Sequence, residues 1–254
     1  MTSADPPLIE LTRLFPPPGD ALSVDAQTAY AELEFASRAP SGRPCVIVNM
    51  VATADGQGRI GANTAALGGP ADAALFATLR ERVDCVMAGT GTVAAESYNA
   101  PARSLEVQRR RIAAGLQPRP LVATVTRAGE LPVDAPMFSD PDLRVAVFSE
   151  AELVLDSVSA EILQTRTTDP AEMLRALRDE HGVRSVLLEG GPRINGLFFE
   201  RELVDELFLT IAPTLIGSGD PFPIIAGALP GQQQLHLISA LVGDEHLFLR
   251  YRVD

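Results

Sequence analysis

Short apolar runs alternate with amphipathic segments from residue 44 to residue 212 of the chain. Apolar runs of this kind predict strands that are buried on both faces of a sheet, and they lie at residues 44–52, 84–88, 120–126, 143–149, 184–189 and 205–212. Helical patterns at residues 71–82, 104–114 and 170–181 fall between them. Helices that connect apolar strands predict a largely parallel sheet with helices on both of its faces.

The C-terminal segment has a different period. Apolar and polar positions alternate around Gly243-Asp244, which predicts an antiparallel hairpin. The predicted fold is therefore α/β, with a mostly parallel mixed sheet that ends in a hairpin.

Local signals mark the ends of the predicted helices. Pro70 follows two glycines and suits the first position of a helix. Asp169, with Glu172 three residues later, predicts a reciprocal cap, and Gly182 ends that helix. The three arginines at 109–111 are expected on a solvated helix face.

The N-terminal segment is distinct in composition. Residues 1–22 are rich in proline and predict an extended arm. Residues 24–37 have helical composition, and we expect a helix that packs on the main body or contacts a partner. A turn-forming stretch at 41–44 then separates an N-terminal arm and helix (1–42) from a single larger domain (43–254).

Composition and charge narrow the classes of ligand. The 254 residues are 46% hydrophobic and carry a formal net charge of −12, which argues against nucleic acid and anionic membranes as partners. A phosphorylated ligand would need a locally cationic site or backbone N–H groups. No signal-peptide pattern or uninterrupted membrane span is apparent, so we expect a cytoplasmic protein.

Few side chains in the sequence suggest a catalyst. Cys45 and Cys85 lie in apolar runs and are expected to be buried, and no Cys/His cluster predicts a metal site. The three histidines are scattered, and no nucleophile elbow or P-loop is present. A cofactor that carries its own hydride would need few catalytic side chains.

Two strand ends carry glycines that could cradle phosphates. Residues 89–94 fit G-x-G-x-x-A after a strand, where backbone N–H groups can approach a pyrophosphate, although a structural turn would show the same pattern. Residues 187–192 read Leu-Leu-Glu-Gly-Gly-Pro. Two such ends predict a phosphate-bearing ligand across the carboxyl edge of the sheet.

The strand at 120–126 ends at Thr126-Arg127, without the carboxylate that binds a ribose 2′-hydroxyl. Arg127 suits a 2′-phosphate and so favours NADP over NAD. The alternative is that Arg127 is a solvated charge in a loop, without a role in binding. Asp55, before Gly56, could contact an amino-pyrimidine or position a proton donor, and a simple turn aspartate is its alternative.

Four blocks together resemble a known family: residues 48–56 (VNMVATADG), 79–96 (with GTGTV), 187–192 (LLEGGP) and 203–219 (VDEL, then AP and G-S-G). In this order they resemble the reductase domain of riboflavin biosynthesis, a member of the dihydrofolate-reductase-like superfamily. The resemblance implies a three-layer dihydrofolate-reductase-like fold, an NADPH cofactor and a homodimer. The implied reaction reduces the ribosyl group of 5-amino-6-(5-phosphoribosylamino)uracil to ribityl.

The predicted site residues follow from the resemblance and the strand ends together. The expected cofactor contacts are Gly89, Thr90, Gly91, Thr92, Val93, Thr126, Arg127, Gly190, Gly191 and Pro192. The expected substrate contacts are Asn49, Thr53, Asp55, Leu67, Tyr98 and Glu189, with Asp55 as the catalytic residue that orients or polarises the substrate.

Two segments depart from the family pattern. Residues 64–69 lack the lysine and tryptophan of the family's S-K-W-I-T-G, and residues 96–99 read Glu-Ser-Tyr-Asn in place of D-P-R-L. Side chains expected to hold the ribose phosphate are therefore missing or moved. Two alternatives stay open: a reductase of a related heterocycle such as dihydrofolate or another pterin, and an NADPH-binding protein without catalysis.

Overall fold

A single sheet of 11 strands organises the chain. The structure is a computed structural model that describes residues 8–16, 23–61, 64–217 and 219–254. Its strands are β1 Glu10–Phe15, β2 Ser23–Asp25, β3 Cys45–Thr53, β4 Cys85–Met87, β5 Leu121–Val125, β6 Arg144–Phe148, β7 Glu161–Thr165, β8 Ser185–Leu188, β9 Glu206–Ala212, β10 Leu235–Gly243 and β11 His246–Val253. Its α-helices are α1 Pro70–Glu81, α2 Thr90–Ala95, α3 Leu105–Ala113, α4 Pro170–His181 and α5 Pro192–Glu200, and short 3-10 turns span Ala36–Arg38 and Pro136–Ser139.

The strand order is β2-β1-β10-β11-β9-β3-β8-β4-β5-β6-β7. The run from β9 to β7 pairs in parallel, and the pairs on the other side of β9 are antiparallel. The mixed, largely parallel sheet and the C-terminal hairpin are thus confirmed. Hairpin strands β10 and β11 are joined through Asp244 and Glu245, both with positive φ (50° and 61°), as a two-residue primed turn requires.

Helices cover both faces of the sheet and bury two apolar cores. On one face, α1 packs Leu75 and Leu79 into a core that also holds residues of the N-terminal segment. On the other face, α4 and α5 bury Leu177, Phe198 and their neighbours. Cys45 and Cys85 are buried with free thiols, as predicted.

The N-terminal segment extends the sheet instead of forming a helix. Strand β1 pairs with β10, and β2 pairs with β1. The predicted helix over residues 24–37 is wrong, because this stretch holds β2, a series of turns and one 3-10 turn. Tyr30 and Phe35 instead pack edge-on against Phe208, with ring centroids 5.1 and 6.0 Å apart, so tertiary packing outweighs helical propensity. Parts of the predicted arm, residues 1–7 and 17–22, lie outside the described residues.

Two local expectations about helices need correction. Arg111 is 1% exposed, so the arginine run does not lie wholly on a solvated face. Asp169 caps α4 as predicted, by accepting from the N–H groups of Ala171 and Glu172. The Glu172 carboxylate does not accept from the Asp169 N–H, as a reciprocal cap would require. It accepts instead from the Thr167 hydroxyl (2.6 Å), and the oxygen of that hydroxyl accepts from the Asp169 N–H.

The sequence pattern does not predict strand β7. It lies at the edge of the sheet, and none of its five residues is buried. An edge strand without a buried face needs few apolar residues. Neither an apolar run nor a regular alternation of apolar and polar residues therefore marks it in the sequence.

Candidate active site

The two glycine-bearing strand ends meet at the carboxyl edge of the sheet. Strands β4 and β8 are parallel neighbours, and the Gly89 N–H donates to the Gly190 carbonyl across 2.8 Å. The Glu189 N–H in turn donates to the Met87 carbonyl at 2.8 Å. The two loops that the sequence placed far apart therefore form one continuous cradle of backbone.

The cradle requires the absence of side chains. Gly190 has φ +85°, and an added Cβ would lie 3.1 Å from the Met50 sulfur. A Cβ on Gly191 would lie 3.0 Å from the Thr92 hydroxyl oxygen, and the peptide between the two glycines is cis. An added Cβ on Gly91, by contrast, would meet nothing within 4 Å. The backbone at Gly91, on the exposed start of α2, is therefore uncovered.

The third strand end stands beside the cradle. Strand β5 is the neighbour of β4, and Thr126, directly after it, is buried, with its N–H bound to the Phe148 carbonyl (3.0 Å). Arg127 is exposed and has no hydrogen bond or ion pair with any described residue. All of the predicted cofactor residues therefore follow three adjacent strands, β8, β4 and β5.

Glu189 lies in a charged cluster beneath the cradle. Its carboxylate accepts two hydrogen bonds from Arg80 (2.7 and 2.6 Å) and one from the Tyr98 hydroxyl (2.5 Å). Burial by itself lowers the pKa of Arg80, but the charge and hydrogen bonds of Glu189, together with Tyr98, outweigh burial and raise this pKa above its usual value. Burial and the same charge raise the pKa of Tyr98. Glu189 and Tyr98, both predicted to contact substrate, are thus held against each other, and their substrate contacts stay predictions.

Asp55 joins two loops at the protein surface. It accepts from the Thr53 hydroxyl (2.5 Å) and from the Gly217 N–H (2.6 Å) in the loop after β9. The Thr53 hydroxyl and the N–H groups of Gly217 and Ile216 hold the pKa of Asp55 below its usual value. A carboxylate in this state is a poor proton donor at neutral pH, so the geometry favours a role in holding the loops.

A small cavity lies between α1 and strands β3 and β9. Its polar lining comes from Asn49, Asp72 and Thr210, and Tyr30 forms part of its wall. Asn49 is a predicted substrate contact; the structure places it in the lining of this cavity, and the substrate contact stays a prediction. Asp72 was not predicted, because Pro70-Ala71-Asp72 indicates only the first turn of a helix, where acidic residues are common. Which side chain of that turn faces the sheet is decided by the packing of α1.

Leu67 and Thr53, both predicted substrate contacts, are buried. The Leu67 side chain is 1% exposed, and the Leu67 carbonyl is 2.9 Å from the Nε2 atom of His246. Thr53 is also buried and is bonded to Asp55. The ligand contacts predicted for Leu67 and Thr53 stay predictions.

Comparison with known proteins decides the family. The family model described as RibD C-terminal domain matches residues 44–247. The chain belongs to this family. The recognition made from four sequence blocks is thereby confirmed.

Two proteins similar in sequence to this chain are named as the same reductase. The chain is 27% identical over 192 residues to the 2,5-diamino-6-ribosylamino-4(3H)-pyrimidinone 5′-phosphate reductase of Archaeoglobus fulgidus, covering 70% of this chain and 84% of that protein. It is 30% identical over 196 residues to the reductase of the same name from Methanothermobacter thermautotrophicus, covering 73% and 85%. The chain is therefore an oxidoreductase of the riboflavin-biosynthesis type.

A solved structure has the same fold. A pyrimidine reductase-like protein from Corynebacterium diphtheriae superposes with a TM-score of 0.73 at 20% identity, over 90% of this chain and 98% of that one. This similarity confirms the predicted three-layer, dihydrofolate-reductase-like α/β fold.

Membrane-spanning helices and metal-binding clusters are both absent from the described segments. No helix of the described segments is long and apolar enough to cross a membrane. Within those segments, no three His, Cys, Asp or Glu side chains are grouped as a metal site would need. The homodimer and the cytoplasmic location stay predictions.

Proposed function

We propose that this reductase uses NADPH to convert the ribosyl group of a ribosylaminopyrimidine 5′-phosphate into a ribityl group. The observation that carries the proposal is the contact between the two glycine loops at the ends of β4 and β8, with open space at Gly91. Membership of the RibD C-terminal domain family supports the same reaction. The names of the two archaeal relatives supply one candidate substrate, the diaminopyrimidinone ribosyl phosphate, and its uracil counterpart is the other.

The residues of the cradle fit a dinucleotide. The N–H groups of Thr90 and Gly91 have no hydrogen-bond partner among the described residues and can bind a pyrophosphate. Thr92, Val93 and the 190–192 loop would form the adjoining wall. When bound, the cofactor would supply a hydride to C1′ of the ring-opened ribosyl imine, whose nitrogen takes a proton from water. The backbone of the chain would orient the two reactants, which is the main contribution a protein makes to hydride transfer.

Arg127 is proposed as the group that binds the 2′-phosphate. Arg127→Ala should weaken NADPH binding by about 10- to 100-fold, because one charge-assisted hydrogen-bonding partner of the phosphate is lost. NADH lacks that phosphate and serves as the internal control. Titration of both nucleotides by nicotinamide fluorescence measures the effect. An equal loss for NADPH and NADH would assign Arg127 a general structural role.

Asp55 is proposed to hold the loops after β3 and β9 together at the site. Asp55→Ala should lower kcat/KM by about 10-fold, an energy typical of a lost positioning contact, with little change in NADPH affinity. The pH dependence of kcat near neutrality should be unchanged. A loss of 1,000-fold or more, on the order of a general acid or base, together with an altered pH profile would show that Asp55 is catalytic.

Reduction of dihydrofolate or another pterin is the second candidate. The Asp72 carboxylate at the start of α1 favours it, because a carboxylate can pair with the amino-pyrimidine edge that pterins carry. The departures at residues 64–69 and 96–99 favour it as well, since they remove side chains expected to hold a ribose phosphate.

One experiment tests the main proposal. Purified protein with NADPH is offered the diaminopyrimidinone ribosyl phosphate, its uracil counterpart and dihydrofolate in parallel, and the loss of reduced nicotinamide absorbance is followed. Turnover of a ribosyl phosphate at about 1 per second or faster supports the proposal. Turnover of dihydrofolate alone would establish the second candidate. NADPH binding without turnover of any of the three would indicate a non-catalytic protein.

A further inference from the structure

The Arg80 guanidinium, in the last turn of α1, is held on three sides. Its Nε and Nη2 atoms donate to the two oxygens of the Glu189 carboxylate at 2.7 and 2.6 Å, which is a bidentate geometry. The rings of Phe76 and Tyr98 lie against the guanidinium, with their centroids 4.1 and 5.1 Å from its Cζ atom. Two charge-assisted hydrogen bonds and two cation–π contacts fix this side chain in one position.

The Glu189 carboxylate depends on its protein partners. Its side chain is only 4% exposed, whereas that of Arg80 is 27% exposed. The Tyr98 hydroxyl supplies a further hydrogen bond, to oxygen Oε2 at 2.5 Å. A carboxylate removed from water is costly unless charged or hydrogen-bonding groups replace the water. Without Arg80, a buried and uncompensated negative charge would remain.

This carboxylate lies directly beside the proposed cofactor site. The next residue is Gly190, whose carbonyl accepts the Gly89 N–H where the two glycine loops meet. The N–H groups of Gly190 and Gly191 donate to no described residue, so they are free to bind phosphate oxygens. The negative charge of Glu189 therefore belongs to the residue adjacent to these donors.

We infer that Arg80 shields the cofactor site from the negative charge of Glu189. The inference rests on the proposed function, because it requires a nicotinamide dinucleotide at the glycine loops. The pyrophosphate of that cofactor is anionic, so an uncompensated carboxylate beside it would repel it. The chain as a whole has a formal net charge of −12, which also opposes an anionic ligand. Local compensation by Arg80 is therefore needed at this strand end.

Shielding and simple structural support predict opposite responses to mutation. If the ion pair only holds the strand end in place, breaking it from either side weakens cofactor binding. If Arg80 acts through its charge, affinity follows the net charge of the pair. That charge is negative without the guanidinium, zero in the wild type and positive when Glu189 is made neutral.

Titration of NADPH and NADH by nicotinamide fluorescence distinguishes the two roles without requiring a substrate. Arg80→Met should weaken both nucleotides by about 10-fold or more, the size of one close like-charge interaction in a partly buried site. The loss should be equal for the two, because both carry the pyrophosphate. Glu189→Gln should bind both at least as tightly as the wild type. Methionine is chosen because an unbranched thioether can still pack between the two aromatic rings.

A double variant tests whether charge is the cause. Arg80→Met combined with Glu189→Gln removes both charges and should restore affinity to within about 3-fold of the wild type, since the two residues act as a coupled pair. The control is Arg110→Met. Arg110 is 51% exposed and pairs with Glu81 at the protein surface, so its loss removes one cation and should leave nucleotide affinity unchanged.

Thermal unfolding of each variant shows whether the fold is retained. Arg80→Met leaves a buried carboxylate unpaired and is expected to lose the most stability. If it does not fold, Glu189→Gln and the double variant decide, because neither contains that charge.

Four results would overturn the inference: weaker nucleotide binding by a folded Glu189→Gln variant, wild-type affinity in Arg80→Met, a folded double variant more than about 10-fold weaker than the wild type, or no NADPH binding by the wild type. Failure of the proposed function looks different. In that case the affinities still follow the charge of the pair, but neither ribosyl phosphate is reduced.

Discussion

We expect Gly91→Leu to lose at least about 100-fold in affinity for NADPH, or roughly 3 kcal/mol of binding free energy. An added Cβ at Gly91 meets no atom within 4 Å, so a side chain can begin there without a clash and extend into the space proposed for the pyrophosphate. Leucine is also a better helix former than glycine at this position of α2. The fold should therefore be retained while the ligand is excluded.

A second glycine provides the control for this variant. Gly231 is exposed, and a Cβ there also meets nothing within 4 Å, so Gly231→Leu adds the same side chain far from the strand ends. We expect NADPH titration to give wild-type affinity for Gly231→Leu and thermal unfolding to give near wild-type stability for both. If Gly91→Leu bound NADPH normally, the proposed cofactor site would be wrong.

The largest expected effect on stability comes from Arg111→Met. The Arg111 guanidinium donates to four carbonyls: those of Arg80, Glu81 and Val83 at 2.9 to 3.0 Å, and that of Gln117 at 3.0 Å. Three of these lie at or just after the end of α1, where helical carbonyls have no partner within the helix. Methionine fills similar space but leaves these acceptors unpaired, which should lower the free energy of unfolding by about 3 kcal/mol.

Urea unfolding followed by circular dichroism measures this loss. The control is Arg109→Met, two residues earlier in α3, because Arg109 is exposed and its replacement should change stability by less than about 0.5 kcal/mol. Equal midpoints for the two variants would mean that Arg111 does not stabilise the end of α1. Burial also lowers the pKa of Arg111 to about 10, so the side chain stays charged at neutral pH.

Some features were determined by local sequence. The six apolar runs became β3, β4, β5, β6, β8 and β9 within one residue at each end, because an apolar run of that length is stable only when buried on both faces. Pro70, Asp169 and Gly182 marked helix ends, since proline, a capping carboxylate and a left-handed glycine act through neighbouring backbone. The four blocks also identified the family.

Other features required the tertiary structure. The sequence treats Arg109, Arg110 and Arg111 alike, and only the packing of α3 against α1 buries one of them beneath the end of a helix. Residues 24–37 have helical composition, but aromatic contacts with Phe208 hold them in turns beside the sheet. These outcomes depend on partners more than 25 residues away, which local propensity does not contain.

The candidate site divides in the same way. The sequence by itself determined the glycine loops and the strand ends that carry them. Two backbone segments can approach closely only where glycine leaves out the side chain, and each strand and its glycines are neighbours in the sequence. Only the tertiary structure brought Asp72 of α1, Asn49 of β3 and Thr210 of β9 to one cavity, and it turned Glu189 towards Arg80. The physical reason is that hydrogen bonds between side chains on different helices and strands depend on how those elements pack. The spacing of residues along the chain does not determine that packing.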